Sequence, residues 1–399
     1  MSNITINKVL NLVAAEIDIP ESSYETANKR YKTVSAWFVS NSARCAVYNP
    51  HLYPQGSFRL GTVIRPVKDD GEYDLDMGCR LRSGVLKTTH TQKQLKELIG
   101  GDVEAYRLAQ GFVKPREEKN RCWRLHYSDA MNFHLDMVPS IPADAGKGIF
   151  LREAMVKRGA AEALATSAAS HAGAITDITL PNYGRIDGDW LISNSEGYAL
   201  WFESKMEQAR PLMEKWASEA KAAQVDKLPA QKRKSPLQKI IQLMKRHRDV
   251  MFADSPDGKP ISVIITTLAS EAYTGEIELD DALEGILAKM EGLVRSTAPY
   301  VPNPVNPEEE DFADKWTMSA YAHLRLKQNF HHWCIQLKQD FRMLTTAGTA
   351  EEVLRQAKEA FGVDLPVEPL RAIAGLGSKP ALAPVRHTIS AAPKPWCRG

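Results

Sequence analysis

The chain has 399 residues, 43% of them hydrophobic and 25% charged, which at roughly 150 residues per domain is material for two or three domains. Lys and Arg number 51 against 49 for Asp and Glu, a formal charge of +2, so no chain-wide charge field explains binding and any phosphate site is local. No apolar run approaches the ~18 residues of a membrane span, Glu16 and Asp18 interrupt any leader-like start, and five cysteines without a CxxC pair argue against a disulfide framework or zinc ribbon; a cytoplasmic globular protein is expected.

Behind Ser22-Ser23, the residues Tyr24, Ala27, Tyr31, Val34 and Trp37/Phe38 recur at helical spacing and predict an amphipathic helix over 22–40. Turn residues Asn49-Pro50 and Pro54 come next. Short alternating stretches at 73–81, 122–127 and 133–138, with a helix predicted at 91–99, read as a small sheet. The Ala-rich stretch 151–170 predicts helix, whereas 190–192 and 198–202 read as strands. Ser235-Pro236-Leu237-Gln238 offers an N-cap, a first-turn proline and a capping-box Gln, and Leu237, Ile240, Ile241 and Met244 succeed one another at i, i+3, i+4 and i+7. A strong helix starts there. After Lys259-Pro260 comes an apolar run ending at Leu268, and 318–344 and 350–361 predict further helices. Residues 378–399 hold four prolines, four Lys/Arg and no acid, the composition of a flexible tail. There is no internal repeat.

The chemistry concentrates in Gly56-Ser57, Gly61, Asp74-Leu75-Asp76 and Asp136. Residues two apart on a strand share a face roughly 6.5 Å apart, so Asp74 and Asp76 point one way while Tyr73, Leu75 and Met77 pack inward. By the same alternation Asp136 opposes Phe133, Leu135 and Met137, and its strand can present a third carboxylate to the pair. Three crowded anions call for cations, and two Mg²⁺ ions ~3.5–4 Å apart serve displacement at phosphorus. Gly56 lets backbone approach a phosphate, and the Ser57 hydroxyl donates to its oxygens. Either fragment alone is more often a plain turn or a decorated strand end; their combination in order favours a triphosphate site.

Gln55-Gly56-Ser57-Phe58-Arg59-Leu60-Gly61-Thr62 through Asp74-Leu75-Asp76, the Asp136 strand, Ile241-Gln242-Leu243-Met244-Lys245, and Pro302-Asn303-Pro304-Val305-Asn306-Pro307 to Asp314-Lys315-Trp316 together resemble the bacterial cyclic GMP-AMP synthase/DncV-like nucleotidyltransferases of anti-phage (CBASS) signalling. The resemblance spans about residues 20–345. It implies an α+β fold with a polymerase-β-like nucleotidyltransferase core and a helical second lobe, the bilobal architecture of oligoadenylate synthases. The expected layout is a core with its leading helix at 1–215, the helical lobe at 216–377 and the tail at 378–399. By the same resemblance Gln55, Gly56 and Ser57 match the nucleotide-binding motif and Asp74, Asp76 and Asp136 the catalytic, metal-binding triad for two Mg²⁺ or Mn²⁺ ions. Lys245 and Ser262 match groups that reach the donor triphosphate. Val263 replaces the aromatic residue found next in the animal relative, so the base-stacking partner is not identified.

The implied activity joins ATP and GTP, with pyrophosphate release, into a cyclic oligonucleotide second messenger, a mixed purine dinucleotide by expectation, that acts through a downstream effector. Alternatives are an enzyme making linear oligonucleotides or modifying RNA or protein, and an inactive nucleotide-binding scaffold. The 17 residues from Ser57 to Asp74 exceed the spacing in smaller toxin and antibiotic-modifying members and favour the signal synthase. The basic run from 221 to 248 reads as a solvated helix surface or a triphosphate wall rather than an activating nucleic-acid face. His323, His331, His332 and Cys334 read as helix-face residues, because their spacing does not match a zinc site. Gly399, at the end of the tail, is a candidate for conjugation by a ubiquitin-transfer-like enzyme.

Overall fold

The computed structural model describes residues 3–68, 71–127, 133–209, 211 and 234–367. The expected boundary at 215/216, the basic residues 221–233 and the tail 378–399 with Gly399 lie outside the described residues.

Two helices lead, α1 (Asn3–Ile17) and α2 (Glu21–Val39). Next come β1 (Pro50–Gln55), the short α3 (Gly56–Leu60), β2 (Tyr73–Leu81) and α4 (Gln92–Ala109). Strands β3 (Glu117–Glu118), β4 (Trp123–His126) and β5 (Phe133–Pro142) precede α5 (Ala145–Lys157), α6 (Glu162–Ser170), β6 (Gly173–Ile175), β7 (Ile192–Ser193) and α7 (Ser195–Met206). The second half is helical: α8 (Pro236–Met251), α9 (Ser262–Ala272), α10 (Leu279–Lys289), α11 (Leu326–Thr346) and α12 (Ala350–Phe361), interrupted by the hairpin β8 (Pro302–Asn303) and β9 (Asn306–Asp311).

Among the described residues, β1–β7 form one mixed sheet in the order β1-β2-β5-β4-β3, with β6 on the far end of β5 and β7 on β6. Strands β2 and β5 are parallel, and the other pairs antiparallel. Strand alternation explains how the sheet is covered. Leu75, Met77, Leu135, Met137, Trp123 and Leu125 face Val34, Phe38, Leu95 and Ile99 of α2 and α4 in one buried cluster, while the alternate residues stand on the opposite face.

A second apolar cluster gathers the helices. Leu237, Ile240, Ile241 and Met244 of α8 are buried there with Ile264, Leu283 and Trp333, each full burial contributing about 1.5–3 kcal/mol. The predicted capping box forms: Ser235 Oγ accepts from the Gln238 amide at 3.2 Å and Gln238 Oε1 from the Ser235 amide at 2.8 Å. This helical core is not confined to the second half. It also takes in Val9, Leu10 and Val13 of α1 and Tyr198, Trp201 and Phe202 of α7, so the chain enters it from both ends of the sheet.

Three local expectations change. Residues 198–202 are helical within α7 rather than a strand, because the Asn194 side chain accepts from the Gly197 amide at 3.0 Å and starts a helix, burying Tyr198, Trp201 and Phe202 at i, i+3 and i+4. The Ala-rich stretch is two helices broken at Gly159, whose φ is +87°. The predicted 318–344 helix begins only at Leu326, since Arg325 takes a left-handed φ of +50° that ends the preceding turn. Cys334 is buried in the helical core and His331 lies 3.4 Å from Glu291, so both serve the helix.

Candidate active site

A cavity of about 850 Å³ opens between the sheet and the helical core. Its walls include Gly56, Ser57, Asp74, Asp76, Lys245 and Ser262, six of the eight residues expected at the site. The parallel β2/β5 register sets Asp76 directly opposite Asp136 and Asp74 opposite His134, so the third carboxylate sits one strand away, roughly 4.8 Å between backbones. Next on β5's other side, Arg124 of β4 pairs with Asp136. Its Nε and Nη2 each donate to the Asp136 carboxylate at 2.7 Å, and Nη2 lies 3.9 Å from Asp74. A guanidinium thus already satisfies part of the positive charge that the anion trio demands. Hydrogen bonds to Asp136 raise the Arg124 pKa further.

Asp76 experiences the crowding most. Burial, reinforced by the charges of Asp74 and Asp136, pushes its carboxyl up to about 7. Gly56 is what allows this carboxylate its position. Its φ is +64°, and a Cβ there would stand 2.0 Å from Asp76 Oδ2, so any side chain would collide with the carboxylate.

The loop after α3 is held by one face of α8. Gln238, Gln242 and Lys245, at i, i+4 and i+7, donate to the carbonyls of Leu60 (2.9 Å), Val63 (2.6 Å) and Thr62 (2.8 Å). Gly61, φ +66°, passes so close to Gln238 that a Cβ would lie 2.4 Å from its amide nitrogen. Lys245 is only 6% exposed, and burial, with Arg248 nearby, lowers its pKa to about 7. It is therefore a buried ammonium at the cavity wall rather than a snorkelling surface lysine. Ser262 Oγ accepts from Arg248 Nη1 at 2.9 Å. Gln55 is absent from the cavity wall: its side-chain oxygen accepts from Ser195 Oγ at 2.8 Å, which ties β1 to α7.

Sequence reasoning missed several wall residues. Arg59, Arg65, Lys68 and Arg248 add cations, and Tyr198, Phe252 and Phe312 add aromatic rings where a base could stack. Asn303 and Glu310 of the β8/β9 hairpin also face the cavity, joined by a 2.6 Å hydrogen bond from Asn303 Nδ2 to the carboxylate. Burial raises the Glu310 pKa. The Pro302 to Pro307 stretch signalled this hairpin but not which of its side chains turn inward.

Residues 50–139 match the family model described as Cyclic GMP-AMP synthase DncV-like, nucleotidyltransferase domain, a span that runs from β1 to the middle of β5. The chain is 27% identical over 355 residues to a c-di-GMP synthase of Roseivirga ehrenbergii, covering 88% of this chain and 82% of that one. It is 25% identical over 337 residues to the cyclic dinucleotide synthase CdnG of Bradyrhizobium diazoefficiens, covering 82% and 74%. In fold it is similar to the CD-NTase CdnG of that organism in complex with GTP, with a TM-score of 0.61, 21% identity and coverage of 93% of this chain and 98% of that one. It is likewise similar to the Vibrio cholerae di-nucleotide cyclase DncV, with a TM-score of 0.57, 13% identity and coverage of 89% and 94%. The fold is thus that of the bilobal CD-NTases, and residues 50–139 match a DncV-like nucleotidyltransferase domain.

Proposed function

We propose that this enzyme joins purine nucleoside triphosphates into a cyclic dinucleotide that acts as a second messenger, in anti-phage signalling through a downstream effector. The observation that carries the reading is the gathering of Asp74, Asp76 and Asp136 on one sheet face, with Gly56, Ser57 and Lys245 on the walls of the same cavity. The names of the two curated relatives support a dinucleotide ring. The relative named c-di-GMP synthase favours guanine at one position at least, and it supports a second reading in which both bases are guanine.

The donor set fits divalent metal. Asp76 is a carboxyl driven toward neutrality by burial and its acidic neighbours, and Asp136 already holds a cation in the form of Arg124. Asp74, Asp76 and Asp136 would hold two Mg²⁺ or Mn²⁺ ions. Bound there, such ions polarise the phosphoryl oxygen and acidify the attacking hydroxyl. Asp136 faces the acceptor ribose hydroxyl, accepts its proton and so orients its lone pair toward the donor α-phosphorus. As the new P–O bond forms, the bond to pyrophosphate breaks, and Ser57 and Lys245 hold the departing charge. Arg59, Arg65 and Lys68 add positive potential along the cavity wall. A second round on the linear intermediate closes the ring.

Incubation of the full chain with labelled ATP and GTP and Mg²⁺ or Mn²⁺, with subsequent nuclease and phosphatase digestion, tests this. The expected result is a phosphatase-resistant product that falls by on the order of 1,000-fold in Asp74→Asn plus Asp76→Asn, which lacks the charge clamp. A wholly phosphatase-sensitive product would mean linear synthesis, and intact triphosphates a scaffold. Product from GTP alone would favour the two-guanine ring.

A further inference from the structure

The sheet face that bears the acidic triad continues one step along its strands into a second set of ligating side chains. Glu72, next to the start of β2, keeps the parity of Asp74 and Asp76; His134 keeps that of Asp136 on β5; His126 keeps that of Arg124 on β4. The registers place His134 opposite both Asp74 and His126. One ligand atom each from Glu72, His126 and His134 lies within 4.8 Å of the others, and the two imidazoles meet edge to face with centroids 4.5 Å apart.

Plain ion pairing accounts for half of each ring. His134 Nε2 contacts Glu72 Oε2, and His126 Nε2 lies 2.7 Å from Glu117 Oε1. The Nδ1 atoms of both rings are buried with no hydrogen-bond partner, and His134 is only 7% exposed. Two buried nitrogens left without partners are costly. His126, donating its Nε2–H to the Glu117 carboxylate, presents a bare lone pair at Nδ1, which is how metal-ligating histidines are held.

We propose that Glu72, His126 and His134 form a binding site for a divalent transition metal ion, Zn²⁺ foremost, separate from the acidic triad, with Glu117 orienting the His126 ring from behind. Two nitrogens and one carboxylate oxygen suit Zn²⁺ and disfavour Mg²⁺, which prefers an all-oxygen shell. A tetrahedral shell with bonds of about 2.0–2.1 Å needs ligand atoms roughly 3.3 Å apart. The Glu72 side chain, 46% exposed, is free to swing by that much, and a water completes the fourth position.

The test is titration of the full metal-free chain with Co²⁺, read by its visible ligand-field bands, and with Zn²⁺ by calorimetry, both in excess Mg²⁺. One ion should bind to the wild type and to Asp74→Asn plus Asp76→Asn alike. Binding should weaken at least tenfold in Glu72→Gln and be lost in His126→Gln and His134→Gln, with circular dichroism confirming that each variant is folded. Should a histidine variant fail to fold, the exposed Glu72→Gln decides. An ion that is lost with the two aspartates, or retained at wild-type affinity without Glu72 and the histidines, would overturn the site, as would no ion bound at all.

Discussion

Gly56 and Asp76 are locked together: the space that any side chain at position 56 would need is filled by Asp76 Oδ2, 2.0 Å from where the Cβ would be. The glycine's left-handed φ of +64° is a second reason for its identity, since an L-residue there costs about 1–2 kcal/mol. The close approach places the first turn of α3 against the carboxylate it must serve. Gly56→Ala should therefore lower product formation by about 100-fold or more through displacement of Asp76, while stability falls by about 1–2 kcal/mol from the backbone conformation and further from the clash with Asp76. Denaturation and turnover measured on one preparation check this; a variant that turns over at the wild-type rate would show that the Asp76 position is not critical.

The second prediction concerns Lys245, whose buried ammonium has a pKa lowered to about 7. In the free enzyme its charge is present below that pH and is lost as pH rises through it. A triphosphate draws the proton back, so binding at pH 8 should take up a substantial fraction of a proton. Calorimetry of GTP binding without metal, in buffers of differing ionisation enthalpy, reads that uptake. Lys245→Met should take up less and bind more weakly, whereas wild-type affinity should decline from pH 7 to pH 9. Equal proton uptake in both proteins would assign the titration to another group.

Arg124 gives the third. Its bidentate bond to Asp136, both contacts at 2.7 Å, neutralises one member of the trio. Arg124→Gln removes that charge and leaves three carboxylates with less compensation. The metal-free protein should lose about 1–2 kcal/mol of stability, and Mg²⁺ should restore more of the melting temperature than it adds to the wild type. Thermal melts with and without Mg²⁺ measure the difference. A melting point indifferent to both the substitution and the ion would separate Arg124 from the triad's electrostatics.

Much of the site was legible in order along the chain, because strand geometry acts locally. Period-two alternation alone puts Asp74 and Asp76 on one face and Leu75 and Met77 on the other, and a Ser-Pro-x-Gln start announces α8 before any fold is known. Local signals failed where two periodicities overlap: Tyr198 to Phe202 is an unbroken apolar run, and only the Asn194 cap and the partners that bury Tyr198, Trp201 and Phe202 made it a helix. The pairing of Asp76 with Asp136, the grip of Arg124 on that pair, and the meeting of Glu72, His126 and His134 all depend on which strands lie side by side. That choice is made by the burial of distant apolar faces against α2 and α4. Likewise, Lys245 sits within reach of the cavity because α8 packs its Gln238, Gln242 and Lys245 face against the Leu60 to Val63 carbonyls, a contact between segments about 180 residues apart whose register no local pattern encodes.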